Sequence, residues 1–564
     1  MVNRHRSVLF SVLGAVALSS LVTHITLVAA TVPEGTMLKE TQTLVRNNGT
    51  EPQSLDPHLM VGVPESNLAR DLFEGLTITS PDGEIIPGVA TDWKSDDGRI
   101  WTFHLRTDAK WSNGDPVTAR DFVYSWQRVA DPKTASPYSS FLEQAHIENA
   151  TAVIHGEKPV ESLGIKALDS HTLEIHLTES IPYFPKLTAH TTLMPVHAAT
   201  INAHGEKWTQ PDNIVGNGAY QLSFWRVNDK IVLTRNSHYW DNQNTIINEV
   251  TFLPIASEIT DLNFYRSGMT DIAATVPIDL FHRVKKELGD ELHINPKLCT
   301  YYYEMNHEAE VFNDPKVREA LKITLNRDII VNRVKNHGER KAYGLTPPYT
   351  SGMGEYAPAW FEASHQEQAE RAKALLKEAG YSKSNPLRFE FLYNTSEGHK
   401  KIAIAVASIW KQSLDGMVEM TLTNQEWKTF LDRRYGGHYE MSSSGWCADY
   451  DEPSSFLNML KSDSSINTAR YKSEAFDRAM EEAVLAKTED ERREMYKKAE
   501  AVLDQESAIL PIYYYVSARL IKPYVGGYSN QNTMDGFYTK DLYLKEPTTT
   551  KRSRNSPDRH RRHR

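Results

Sequence analysis

The sequence predicts an α/β or α+β chain folded as one compact, multi-lobed unit. Three observations carry this. Short alternating apolar–polar runs interleave with helical patterns, no fixed period repeats, and no low-complexity linker breaks the chain before residue 548. At 564 residues, 40% hydrophobic and 10% aromatic, the chain suffices for two to four domains with substantial cores.

The N-terminus comes first. Arg4, His5 and Arg6 precede an apolar run from residue 8 to about 22, and Ala29 and Ala30 offer a cleavage point. This order predicts a signal peptide over residues 1–30. A membrane anchor is the alternative, but the run is shorter than the roughly 20 residues a spanning helix needs, and His24 interrupts its continuation. No cysteine near the cleavage point offers a lipid attachment site.

Trp101-Thr102-Phe103-His104-Leu105 and Leu173-Glu174-Ile175-His176-Leu177 alternate and predict half-buried strands, while Asp82-Gly83 and Asn113-Gly114 predict turns. Asp314-Pro315 predicts a helix start, with Val317, Ala320, Leu321 and Thr324 on one face. A helix is expected over 366–379, placing Ala369, Ala372, Leu376 and Ala379 together and stopping at Gly380. Thr488 and Glu491 form a capping box, after which Met495, Ala499 and Val502 are the expected buried face. The proline-rich stretches at 346–349 and 356–358 read as loops.

The formal net charge of −10 understates the acidity of the body. Without residues 1–30 and 549–564 the chain holds 54 basic and 72 acidic residues. Phosphates would be repelled, so nucleic acid is not an expected partner. The basic tail over 549–564 has no apolar run to dock it and is expected to be disordered, a solvated appendage before an anion-binding arm.

Catalytic signatures are absent. There is no Gly-x-Ser-x-Gly elbow, His-Glu-x-x-His helix, phosphate loop or Cys-x-x-Cys pair. No metal site or cofactor is expected, and enzyme function is disfavoured. The chain has two cysteines, Cys299 and Cys447. Export to an oxidising compartment makes a disulfide between them the expected state, with two free buried thiols as the alternative. The bridge would set the aromatic run Tyr301-Tyr302-Tyr303 beside Gly445-Trp446-Cys447-Ala448-Asp449, a grouping suited to a ligand with a cationic end.

Six further segments occur in order: residues 54–57 (SLDP), 71–76 (DLFEGL), 87–93 (PGVATDW), 111–122 (WSNGDPVTARDF), 216–220 (GNGAY) and 236–240 (NSHYW). Together they resemble the family 5 extracytoplasmic solute-binding proteins of peptide and nickel ABC importers, over about residues 31–546. The resemblance implies a two-lobed periplasmic-binding-protein fold of the cluster C type. Residues 31–73, 198–299 and 517–548 would form lobe I, 300–516 lobe II, and 74–197 an extra domain. It implies a monomeric periplasmic carrier of oligopeptides that closes on its ligand by a hinge and docks on an inner-membrane ABC permease with its ATPase subunits.

The resemblance also implies site residues. Asp449 matches the aspartate that pairs with the peptide α-amino group; a turn cap before Asp451 is its plainer role. Val63 and Gly445 match positions offering backbone groups to an added strand. Trp446, Trp427, Tyr138, Tyr302 and Tyr515 resemble pocket walls, although each ring alone suits a core equally well. His399 and Lys335 match positions that meet the C-termini of longer peptides; their plainer roles are a surface histidine and a solvated helix residue.

Two departures remove charge from the expected cleft. Ser443 stands where peptide binders of the family often carry arginine, and Val61 where an acid is common. A serine lacks the two-pronged grip on a carboxylate, so an altered length or side-chain preference is expected. Competing readings are a binder of cell-wall peptides or another small solute, a periplasmic chaperone or adhesin, and a periplasmic hydrolase.

Overall fold

The computed structural model describes residues 30–547 except Ser465, with only the backbone of Trp427 and Lys428. The expected signal segment, apart from Ala30, and the basic tail lie outside the described residues.

Three principal sheets organise the α/β chain. A four-stranded sheet runs in the order Thr43–Asn47, Glu249–Leu253, Lys230–Arg235, Tyr220–Arg226, its first pair parallel. A second, antiparallel throughout, runs Ala90–Lys94, Ile100–Leu105, Thr172–His176, Ile165–Asp169. A six-stranded mixed sheet runs Arg340–Lys341, Leu510–Leu520, Leu292–Met305, Met441–Cys447, Leu387–Asn394, Val418–Gln425. Each sheet has its own core. Trp101, Phe103, Leu173 and Ile175 bury the inner face of the second sheet, as their alternation requires.

Local chemistry sets the helix ends. Asp314 caps the helix Pro315–Thr324 by accepting from the Lys316 N–H at 2.9 Å. The helix His365–Glu378 ends at Gly380, whose φ of +93° suits a residue without a side chain. The Thr488–Glu491 capping box forms at the start of the helix Glu489–Gln505. The buried face of that helix is centred on Tyr496, Ala499, Glu500 and Leu503, with the expected Met495 and Val502 half-buried at its flanks against the same core. Glu500 faces inward to accept the N–H groups of Leu345 (3.0 Å) and Thr346 (2.7 Å).

The strands Leu292–Met305 and Leu510–Leu520 are the longest paired crossing in the molecule. Their antiparallel ladder runs from Leu292 opposite Leu520 to Tyr303 opposite Leu510, with a register break between Pro296 and Thr300. Proline cannot donate to a ladder, so the break falls where pairing is locally weakest. Beyond it, Cys299 lies directly opposite Cys447 on the neighbouring strand, and the two form a disulfide. The free-thiol alternative is thereby excluded.

Candidate functional site

The disulfide forms part of the wall of a cavity of about 740 Å³. Segments remote in sequence converge on it: Val61–Val63 at the start of a helix, Tyr138 and His190 from the body of the second sheet, the loop after Cys447, and residues 531–538. Four expected site residues, Val63, Tyr138, Trp446 and Asp449, line this one cavity.

Asp449 follows the strand Met441–Cys447, its N–H donating to Ser455 Oγ at 2.8 Å. Its Oδ1 accepts from the Tyr138 hydroxyl at 3.0 Å and lies 3.5 Å from His190 Nε2. Its Oδ2 takes no hydrogen bond among the described residues. The carboxylate is 11% exposed. It makes no bond to the backbone of 451–453, so it is not a turn cap. Burial first, then the Asp449 charge, raise the Tyr138 hydroxyl far above its ordinary value, which keeps it a donor. His190 packs against both Tyr138 (5.2 Å) and Phe141 (4.4 Å), and its Nδ1 accepts from the Thr192 N–H at 3.2 Å. That bond leaves Nε2 carrying the proton that faces Asp449. His190 belongs to no motif and was not identifiable from sequence.

Trp446 is half-buried and donates from Nε1 to the Ser455 carbonyl at 2.7 Å. Its side chain therefore presents a fixed edge to the cavity. Val63 and Val61 are 59% and 60% exposed there.

Other expected residues gather elsewhere, on the six-stranded sheet or on helices packed against it. Gly445 lies opposite Tyr301, and a Cβ at Gly445 would come within 3.2 Å of the Tyr515 hydroxyl. His399 stacks on Tyr301 and takes its hydroxyl at 3.0 Å from Nδ1, while Lys335 lies over Tyr513. Burial, then the charge of Lys335, pull His399 down to about 4. It is neutral at pH 7, an acceptor for the Tyr301 hydroxyl and not a positive charge. Lys335 lies 3.6 Å from Glu339. Tyr302 is a core ring, 2% exposed, packed with Met459. Tyr301 and Tyr303, on the opposite face, are buried in a second core, so both faces of this strand are covered. The Trp427 side chain lies outside the described set. Ser443, 1% exposed, faces the sheet interior with its Oγ unpartnered. Among the described residues no group of three or more His, Cys, Asp or Glu side chains could hold a metal, and no helix is long and apolar enough to cross a membrane.

Known proteins share this arrangement. A family model, "Bacterial extracellular solute-binding proteins, family 5 Middle", matches residues 84–468. The chain belongs to this family. It is 55% identical over 535 residues to the periplasmic oligopeptide-binding protein OppA of Salmonella typhimurium, covering 95% of this chain and 98% of that one. The solved structure of Haemophilus influenzae OppA in complex with RPPGFSPFR superposes with a TM-score of 0.83 at 44% identity, covering 90% of this chain and all of the other. The murein tripeptide binding protein MppA of Escherichia coli superposes at 0.85, with 44% identity over 91% of this chain and all of the other. Its unliganded open form superposes at 0.75 with the same identity, covering 91% and 99%.

Proposed function

We propose that this protein is the periplasmic solute-binding component of an ABC importer, capturing oligopeptides between its lobes by their backbone and termini. The relatives compared above are named for peptide binding, and the cavity offers the matching chemistry. The observation that carries the reading is Asp449. A carboxylate held on one oxygen by Tyr138, with the other oxygen unpartnered, is prepared for the ammonium of a peptide N-terminus. An enclosed ammonium needs a counter-charge, because an unpaired buried charge is costly.

In this reading residues 31–73, 198–299 and 517–548 form lobe I, 300–516 lobe II and 74–197 the extra domain. The paired crossing strands with their register break act as the hinge. Trp446 and Val63 bound the first ligand residues. Gly445, Tyr515, His399 and Lys335 lie along the sheet for longer peptides, and buried Ser443 provides no carboxylate clamp. The loaded monomer would deliver its cargo to an inner-membrane permease and its ATPase subunits.

The test is calorimetry with a free peptide and its N-acetylated form. Wild type is expected to bind the free form at least about 30-fold more tightly, because truncating one partner of a buried charge pair costs roughly 2–5 kcal/mol. Asp449→Asn should weaken the free form by a similar factor and leave the acetylated form unchanged. Equal affinities for both forms in wild type would refute the reading.

A further inference from the structure

The cavity carries a second charged locus, away from the disulfide. Arg70, near the end of the helix Val63–Leu72, lines the cavity. Its only hydrogen bond among the described residues runs from Nη2 to Asn67 Oδ1 at 2.6 Å. Its Nε is buried without a partner, and no carboxylate among the described residues pairs with it. The other cations of the lining are engaged: Lys297 lies 3.4 Å from Asp535, and Lys186 donates to the Asp451 carbonyl at 2.9 Å.

The surroundings of Arg70 hold a surplus of positive charge. Behind it lies Arg46, 4% exposed, stacked on Phe537 at 4.2 Å, with Nε and Nη1 unpartnered. Arg519 pairs with Asp535 at 2.9 Å. Asp71 is engaged by Thr539, through its N–H at 3.0 Å and its hydroxyl at 2.6 Å. Two carboxylates therefore face Arg46, Arg70, Arg519 and Lys297. Burial lowers Arg70, and burial followed by Arg519 pulls Arg46 down to about 9, which leaves Arg46 charged at pH 7; a guanidinium is not deprotonated in proteins. The backbone leaves room for the guanidinium: a Cβ on Gly536 would stand 3.0 Å from Arg70 Cζ and Nη1.

A guanidinium enclosed without an anion is unfavourable, and its planar fork matches a carboxylate. We propose that Arg70 receives a carboxylate of the bound peptide, from either an acidic side chain or the C-terminus of a short ligand. This rests on the peptide-binding reading and adds a charge preference to it. The cavity then has two poles, Asp449 for the ammonium and Arg70 for the acid.

The experiment is calorimetry on the full chain with Ala-Glu-Ala, Ala-Gln-Ala and the C-terminal amide of each. Wild type should prefer one acid over its neutral counterpart by roughly tenfold, since a hydrogen bond to a charged group contributes about 1.5–3 kcal/mol. A preference for Glu over Gln identifies the side chain as the source, and one for free acid over amide identifies the terminus. In Arg70→Met that preference should fall to about one. Gly536→Ala keeps every charge but displaces the guanidinium, so it should also reduce the preference, and it decides the matter if Arg70→Met does not fold. Unchanged ratios in a folded Arg70→Met, or no acid preference in wild type, would overturn the proposal. If discrimination against N-acetylated peptide persists in that case, the peptide-binding reading stands and only the role of Arg70 falls. Absence of any peptide binding would end both.

Discussion

At the scale of the residue, Asp449 is defined by its neighbours. Tyr138 belongs to the body of the second sheet and Asp449 to the six-stranded sheet, so their 3.0 Å bond both orients the carboxylate and ties the bodies together. Tyr138→Phe removes that hydroxyl and keeps the ring stacked on His190. We expect about tenfold weaker peptide binding by calorimetry, corresponding to about 1.5 kcal/mol for a hydrogen bond to a charged group, with little change in melting temperature. Asp449 and Trp446 were legible in sequence because a cysteine and an aromatic mark the segment. His190 and Arg70 were not, because nothing around them in sequence announces the cavity that long-range packing makes.

Among elements, the pair of strands joined by Cys299–Cys447 matters most. The bridge closes a loop of 148 residues and lies in the cavity wall. Removing it through Cys299→Ala with Cys447→Ala should lower unfolding free energy by about 4–5 kcal/mol in the chain-entropy model, read from urea denaturation. Helix ends at Asp314, Gly380 and Thr488 followed their local signals, since capping needs only nearby groups. The inward turn of Glu500 in Glu489–Gln505 had no such signal, because its partners lie in a loop more than 150 residues away in sequence.

For the whole molecule, acid sensitivity arises from buried imidazoles. His58, His146, His307, His337 and His399 are each pulled down to about 4, burial being the first cause in every case. His58 shows why. Its Nδ1 accepts from Arg128 at 2.8 Å and its Nε2 donates to the Met194 carbonyl at 3.0 Å, so protonation must break the first bond. Unfolded histidines take up a proton near pH 6.5, folded ones near 4. Between those values the unfolded state binds more protons, and stability falls as pH drops from about 6.5 to about 4. Buried Glu452 and Glu500, raised by burial, act in the opposite direction. The contribution of His58 is therefore isolated by comparison with His58→Gln. Urea unfolding should show wild type losing about 2 kcal/mol more than the variant between pH 7 and 4.5.

The features that the sequence alone determined are local or categorical: strand alternation, caps and turns, two cysteines able to bridge, and the family motifs that mark Asp449. These depend on near neighbours in the chain, so a linear reading reaches them. The tertiary structure alone decided what each side chain meets: Tyr302 and Trp446 share one face of the six-stranded sheet, yet Tyr302 lies in the core and Trp446 on the cavity wall. It also made His399 neutral and left Arg70 without an ion-pair partner among the described residues. Burial and charge pairing are properties of surroundings drawn from distant segments, and those surroundings exist only once the chain has folded.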